Sequence, residues 1–517
     1  MIIFVNSMNK LFLALFSGFL LAFSWPFIGF SIFIFVAFVP LLILVNKSTK
    51  SNEVFLFSFI AFFLFNSITT YWVYHATIIG CIVAFIINSL LMASVFWLYS
   101  KIKHSTSSRL GALAFLVMWL SMEYLHLNWQ LSWPWLTLGN VFSKTPELVQ
   151  WYEFTGFLGG SFWIIIVNLL VYNIFKSFNI NKVIALVTLI LAPMLFSFFI
   201  YINFEEKGQQ FLDVVIIQPN VNPYTDKFST PYENQLIDFI KLAKTKITKE
   251  TQLLLAPETA LLEGVWENSF EASYSVRTFR KLQNEFPNLN ILVGATTYKM
   301  LDHAQKKSRT SRKLRNENTF YEVYNSAIFI PSFGDVEVYH KTKLVPGAER
   351  MPFPYILDPL ANLAINLGGT SGSLSSDNYL NSFKIKETII SPLICYESVY
   401  GEMKLGKSSL IAILTNDGWW KNTAGYKQHF AYARLRAVEQ RKSIIRSANT
   451  GISSVINHRG DVLIKSNWDE AICLTSKVDI NNGTTFYNRF GDYIGRISVF
   501  ISSILLIVSF VRMKLSN

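Results

Sequence analysis

Eight long, mostly apolar stretches decide what this chain can fold into. Seven crowd the first 205 residues, at 9–25, 28–46, 54–75, 78–100, 109–127, 157–177 and 183–203, and an eighth, "RISVFISSILLIVSFV", runs from Arg496 to Val511. About 20 apolar residues suffice for a helix to cross roughly 30 Å of hydrocarbon, so the pattern predicts a polytopic α-helical membrane domain of about eight transmembrane helices. The charge content agrees: 15% of residues are charged, against about 25% in an average soluble domain. The first run continues past any small-residue cleavage pattern and more spans follow, so it reads as a retained helix, not a signal peptide. Lysine and arginine fall unevenly in the short loops. With the N-terminus inside, Lys10, Lys47, Lys50, Lys101, Lys103, Arg109, Lys176, Lys182, Arg512 and Lys514 are cytoplasmic and Lys144 stands alone outside; that asymmetry places the segment between the last two helices on the outer face.

That segment has a different grammar. From about 206 to 490, short apolar runs such as "FLDVVIIQ", "QLLLAPE", "NILVGATT", "TIISPLICYE" and "SLIAILTND" alternate with amphipathic stretches such as "YENQLIDFIKLAKTKI". Buried strands alternating with helices predict an α/β domain. The chain thus divides into a membrane domain at 1–205, an outer domain at 206–490, and a last helix with its tail at 491–517. The net charge of +12 is scattered and forms no basic stripe interleaved with stacking aromatics, which argues against nucleic acid. Cys81, Cys395 and Cys473 make neither a disulfide framework nor a CxxC metal site. The histidines lack metal-ligand spacing, and "LGGTSGS" near 368 lacks the following Lys-Ser/Thr of a phosphate loop. No cofactor is expected.

Three strand ends carry chemistry. "QLLLAPETA" delivers Glu258, "DVEVYHKTKLVPGAE" delivers Lys341, and "TIISPLICYES" delivers Cys395. Taken singly, each also has an ordinary reading: Glu258 caps a following helix, Lys341 is solvated, Cys395 is a core thiol. Together they suit one reaction. A thiol of pKa about 8.5 needs a base or a nearby cation to become a nucleophile. When sulfur adds to a carbonyl, the charge that moves to oxygen needs a buried donor, worth about 3 to 4 kcal/mol of barrier. Glu258 fits the base, Lys341 the clamp, Cys395 the nucleophile, and the Tyr396 amide a second oxyanion donor.

The trio resembles that of the nitrilase, or carbon-nitrogen hydrolase, superfamily, whose Glu-Lys-Cys triad sits on an αββα sandwich. With the helical frame, the chain resembles the apolipoprotein N-acyltransferase family. "APET", "YHKTKLVPGAE" and "LICYES" are similar to its three motifs, with Glu349 eight residues after Lys341 and Glu397 two after Cys395; "QPNV", "YNSA", "TNDGWW", "RSANTGISSVI", "FYNRFGDYIG", "PWLTLGN" and the glutamate of "WLSMEYL", Glu123, extend the likeness over nearly the whole chain. Two departures stand out. The lysine motif continues "LVPGAERMPFP" in place of "LVPFGE", and Phe228 stands where many members have tryptophan.

The resemblance implies that Cys395 takes an acyl chain from a phospholipid as a thioester, and that the N-terminal amine of a diacylated apolipoprotein then accepts it, in a ping-pong cycle. It implies supporting roles for Glu349, Glu397 and Tyr396, and lipid contacts for Phe228, Met351, Phe353, Trp419 and Trp420. Its setting is the bacterial inner membrane, with the outer domain periplasmic and both termini cytoplasmic. The basic "HAQKKSRTSRKLRNEN" from His303 reads as a solvated hairpin loop, with attraction to anionic headgroups as the alternative. Glu123 is expensive in hydrocarbon and should face the bundle interior or the outer interface. Two other functional classes stay open: a membrane-tethered amidohydrolase using the same trio, and a transporter with a ligand-binding outer domain. Seven helices exceed what an anchor needs, and sparse intramembrane charge disfavours transport.

Overall fold

The computed structural model describes residues 2–205, 210–227, 229–302, 307–315, 319–357, 374–403 and 405–515. They form two units, one comprising the chain up to Phe204 together with the chain from Phe490 onward, the other Glu205–Arg489. Phe228 and the glycine-rich stretch near 368 lie outside the described residues.

In the first unit, six helices among the described residues are long and apolar enough to cross a membrane: Ser51–Thr69, Ile78–Ser105, Ser108–Leu127, Phe157–Lys176, Ile180–Asn203 and Tyr493–Arg512. The first expected span, 9–25, falls on the helix Ile2–Ser24 except for its last residue. The second, expected as one helix over 28–46, is instead a 3-10 turn at Ser31–Phe35 followed by a helix at Val39–Lys47. Pro40 explains the break, because proline lacks an N–H and is accommodated in a helix's first turn, not its middle. Helix Ile180–Asn203 exposes nearly all of its surface, with Leu195 at 66% and Phe199 at 61%; such a face is stable only in an apolar solvent. Both charged side chains singled out inside the unit have partners. Lys10 meets Glu53 at 2.8 Å. The buried Glu123 faces the interior and accepts hydrogen bonds from Trp119 Nε1 (3.0 Å) and the Leu138 amide (2.9 Å). The final helix packs on Ser108–Leu127 through small residues: Ser502 and Ser121 share a hydrogen bond of 2.9 Å, and Gly495 sits where a Cβ would lie 2.6 Å from Tyr124.

The second unit is built from strands short and apolar enough to be covered on both faces. The chain lays down β1 (Phe211–Gln218), β2 (Leu253–Leu255), β3 (Leu261–Trp266), β4 (Asn290–Leu301), β5 (Arg312–Lys313), β6 (Phe320–Ile330) and β7 (Glu337–His340). It then builds a second sheet from β8 (Phe383–Ile385), β9 (Thr388–Ile394), β10 (Leu410–Thr415), β11 (Ser443–Ala448), β12 (Ser454–Ile456) and β13 (Val462–Lys465), and returns to the first sheet with β14 (Ile472–Asp479). The first sheet has the order β14-β1-β2-β4-β6-β5, with β3 also on β4 and β7 on β6; the second runs β13-β12-β11-β10-β9-β8. Strands β1, β2 and β4 are parallel, as are β9, β10 and β11.

Alternation along each strand divides the apolar residues between two layers. Val214 and Ile216 of β1, Leu292 of β4, Phe329 of β6, Ile394 of β9 and Leu414 of β10 fill the space between the sheets. Val215, Ile217, Ile291 and Val293 point the other way, onto helices Tyr232–Lys244 and Tyr274–Glu285 through Leu236, Phe239, Phe279 and Leu282. Helix Ala424–Gln440 lies with the second sheet. This is the αββα sandwich expected from the sequence. Phe329 stacks on Phe383 across the two sheets, with ring centroids 5.0 Å apart and 13° between planes. Phe329→Ala removes that contact from a closed interior and is expected to destabilise the unit by about 3–5 kcal/mol, read as a lower unfolding midpoint in detergent.

Candidate active site

Each of the three strand ends is shaped by local geometry. Beyond β2 the chain stays beside β4, with Ala256 N–H donating to Leu292 O (2.8 Å) and Gly294 N–H to Pro257 O (3.1 Å). It delivers Glu258, and then turns sharply at Thr259, whose φ is +46°. The residues after it form β3, not a helix that Glu258 would cap. Gly294 permits the approach: a Cβ there would lie 2.6 Å from Glu258 Cα, Pro257 O and Thr259 N. Lys341 follows β7, and its amide donates to Asn325 O of β6 (2.9 Å). Cys395 ends β9 at φ +50°, in the left-handed region that a side chain rarely adopts, and opens the 3-10 turn Cys395–Val399.

Lys341 is buried, and its Nζ lies 3.1 Å from Glu258 Oε1 and 2.9 Å from Glu349 Oε1. Asn325 Nδ2 donates to the same two carboxylates at 2.8 Å each. Burial alone would strip the proton from Lys341; Glu258 and Glu349 outweigh it and hold the ammonium charged, its pKa above the ordinary value. Cys395 is partly exposed and lies within range of the Glu258 and Lys341 charges. Burial of its thiol, reinforced by Glu258, raises the pKa well above the usual value, and Lys341 offsets only part of that. Cys395 therefore rests as the thiol. A carboxylate able to take the thiol proton, an ammonium able to meet a developing oxyanion and a sulfur able to attack suit addition to a carbonyl.

The supporting residues divide by what they touch. Glu349 reaches Lys341 because Gly347, at φ +79°, turns the "LVPGAE" loop, and Val345 N–H binds Glu349 Oε2 at 2.7 Å. Glu397 is fully buried and touches neither Glu258 nor Lys341 through a hydrogen bond. It accepts instead from Tyr339 Oη (2.6 Å), Thr342 N–H and Oγ1 (2.7 Å each), Lys343 N–H (3.2 Å) and Ile394 N–H (2.8 Å). One carboxylate thus clips the loop after Lys341 to the strand before Cys395. Tyr396 is buried edge-on against Tyr400 at 5.3 Å. Trp419 and Trp420 are half-buried; the Trp419 carbonyl accepts from Tyr224 Oη (2.7 Å), and the Trp420 ring packs on His429 at 5.4 Å. Met351 and Phe353 are half-buried ahead of a helical turn at Pro354–Leu357, whose Tyr355 and Ile356 are exposed. The described part of the basic loop is pinned by Glu322, which binds the hydroxyls of Ser308, Thr310 and Ser311, while Arg309 stacks on Tyr355 at 3.6 Å.

Sequence reasoning missed several residues of this site. Asn325 lies within "YNSA", and Asp417 and Arg446 within quoted motifs, but nothing marked their roles. Lys227, buried with Nζ 2.5 Å from Thr259 Oγ1, is pushed by burial down to about 8, with Glu258 pulling it back. His340, just before Lys341, stacks on Tyr324 at 3.8 Å and lies between Glu267 (2.6 Å) and Asp377 (3.0 Å). Among the described residues, no three His, Cys, Asp or Glu side chains are grouped to hold a metal ion.

Two outcomes are expected. Gly294→Ala must displace the Glu258 backbone, and misplacement of a reacting group by about 1 Å costs roughly 100-fold in rate; acylation of Cys395 should fall accordingly, measured by intact-protein mass. Burial opposes charge on His340, yet hydrogen bonds with Asp377 and Glu267 outweigh it and raise its pKa, while His340 lowers that of Asp377. A raised folded-state pKa gives stability that is complete below about 6.5 and is lost as pH rises through the folded value; the lowered Asp377 pKa adds stability above about 4. The unfolding midpoint should decline above neutral pH in the parent and be flatter there in His340→Gln.

Comparison with known proteins agrees with this geometry. Residues 17–170 match the apolipoprotein N-acyltransferase N-terminal domain, and residues 222–486, slightly more than half the chain, match the carbon-nitrogen hydrolase family. Proteins named apolipoprotein N-acyltransferase from Chlorobaculum tepidum (26% identity over 97% of this chain and 97% of theirs), Geobacter metallireducens (25%, 98% and 96%) and Thermotoga maritima (25%, 97% and 94%) are similar to it along nearly their full length. The chain belongs to the carbon-nitrogen hydrolase family, in a form that joins this αββα fold to a helical membrane domain.

Proposed function

We propose that this enzyme is an apolipoprotein N-acyltransferase, moving an acyl chain from a phospholipid to the N-terminal amine of an S-diacylglyceryl-cysteine lipoprotein. The observation that carries the reading is Lys341 held by Glu258 and Glu349 within range of the Cys395 sulfur, in a chain with a membrane domain of matching type. In the first half-reaction Glu258 takes the Cys395 proton while sulfur bonds to the ester carbonyl and the π pair moves to oxygen, beside Lys341 and the Tyr396 amide. Collapse restores the carbonyl and breaks the ester C–O bond; the departing alkoxide takes the proton back from Glu258, and a lysophospholipid leaves. In the second, the lipoprotein amine adds to the thioester, passes a proton to Glu258, and expels sulfur, which is reprotonated. The product is an amide, more stable than the thioester consumed.

The apolar Met351, Phe353, Tyr355 and Ile356 and the tryptophans at 419 and 420 are suited to acyl-chain contact and to keeping water from the thioester. The proposed setting is the bacterial inner membrane, with the catalytic unit periplasmic and both termini cytoplasmic, as the lysine and arginine asymmetry favours. Hydrolysis of a small amide is disfavoured because it requires no helical membrane domain.

Steady-state transfer between a phospholipid and a diacylated lipopeptide tests this. Parallel double-reciprocal lines and one lysophospholipid per N-acylated product are expected; Cys395→Ala should be inactive, and Glu258→Gln slower by at least about 100-fold while remaining folded. Intersecting lines, or turnover of soluble amides without transfer, contradict the proposal.

A further inference from the structure

A fully buried network behind Cys395 is not used by the reaction as written. Cys395 O accepts a hydrogen bond from Ser398 Oγ (2.7 Å) and lies 3.1 Å from His429 Nε2, and Ser398 Oγ and His429 Nε2 are 2.8 Å apart. The other ring nitrogen, Nδ1, is 2.9 Å from Asp417 Oδ1; Arg446 Nη2 donates to Asp417 Oδ2 at 2.7 Å and approaches Nδ1 at 3.1 Å. Burial would raise the Asp417 pKa, but Arg446 and His429 pull it down to about 2. Thr415 Oγ1 donates to Asp417 Oδ1 at 2.9 Å and also contacts the Cys395 thiol. Of the two ring nitrogens of His429, Nε2 thus faces the Cys395 carbonyl and Nδ1 faces its anchors, Asp417 and Arg446.

We infer that His429, anchored by Asp417 and Arg446, is a positioning residue that aims the Tyr396 amide at the developing oxyanion. The link is the peptide plane. In a planar trans peptide the Cys395 carbonyl and the Tyr396 N–H point in opposite directions, so holding one fixes the other. The plane needs holding, because Cys395 has a positive φ, a conformation that costs about 1–3 kcal/mol and persists only when neighbours enforce it. An oxyanion donor stabilises the transition state only if it is aimed before charge develops. His429 acts on that direction through the Cys395 carbonyl.

The inference rests on Cys395 being the nucleophile, and its test separates the two claims. Cys395 in the detergent-purified full-length protein is treated with p-nitrophenyl butyrate, whose acyl transfer passes through an oxyanion, and with iodoacetamide, whose displacement forms none; modification is followed by mass. In His429→Ala, acylation should fall about 100- to 1,000-fold, as for loss of an oxyanion donor, while alkylation changes by less than roughly threefold. His429→Gln, which restores a donor toward the carbonyl, should recover at least about tenfold. Should His429→Ala not fold, Ser398→Ala removes the other donor to the same oxygen and should slow acylation alone. Parallel loss of both reactions, loss of neither, or no recovery with glutamine overturns the positioning role. A parent protein acylated by the nitrophenyl ester but never by phospholipid overturns the proposed function and leaves this role intact.

Discussion

The site is organised around one buried ammonium. Lys341 has almost no exposure, and a charge removed from water is tolerable only if partners replace its hydration. Glu258 and Glu349 supply that, with Asn325 bridging the two carboxylates. Burial of the neighbouring Cys395 thiol, reinforced by the Glu258 charge, outweighs the Lys341 ammonium and keeps the sulfur protonated at rest. In the proposed reaction the thiolate forms only as its proton passes to Glu258, and the ammonium becomes more valuable as charge shifts from the carboxylate to the substrate oxygen. A lysine with a single carboxylate partner would lose much of its counter-charge when that carboxylate takes the proton; here Glu349 is a second partner, 2.9 Å from Lys341 Nζ.

Holding these groups in place requires strained backbone. Thr259 and Cys395, at two of the three strand ends, have positive φ without being glycine. Such conformations survive where the surroundings over-determine them. Around Glu258, Gly294 lets β4 approach; around Cys395, Glu397 gathers five donors from Tyr339, Thr342, Lys343 and Ile394. Glu397 also joins the two sheets, since Tyr339 lies on β7 and Ile394 on β9. The first sheet thus supplies the proton-accepting carboxylate and the ammonium, the second supplies the sulfur, and one buried carboxylate sets the registration between them.

Much of this was legible in the sequence because chemistry-bearing residues followed runs of buried apolar ones. Glu258, Lys341 and Cys395 each end such a run, and Glu349 sits at a fixed spacing from Lys341. Residues inside elements carried no such signal. Asn325 is one position in a long strand, and His429 lies within a helix whose other residues are almost all buried, so neither periodicity nor spacing marks it. The role of Glu397 is likewise invisible until β7 and β9 are seen side by side. In the membrane unit the apolar runs identified the helices, but hydropathy is blind to hydrogen bonding, so the run over 28–46 reads as one helix although Pro40 within it marks where a second helix starts.

The central claim, that acid, ammonium and sulfur act as one acyl-transfer centre, is tested most directly by peptide mapping after incubation with a labelled phospholipid. An acyl group should appear on Cys395, persist in the absence of acceptor, and vanish with stoichiometric N-acylation when a diacylated lipopeptide is added. An acyl group found on another residue, or a Cys395 adduct that the lipopeptide cannot discharge, would contradict it.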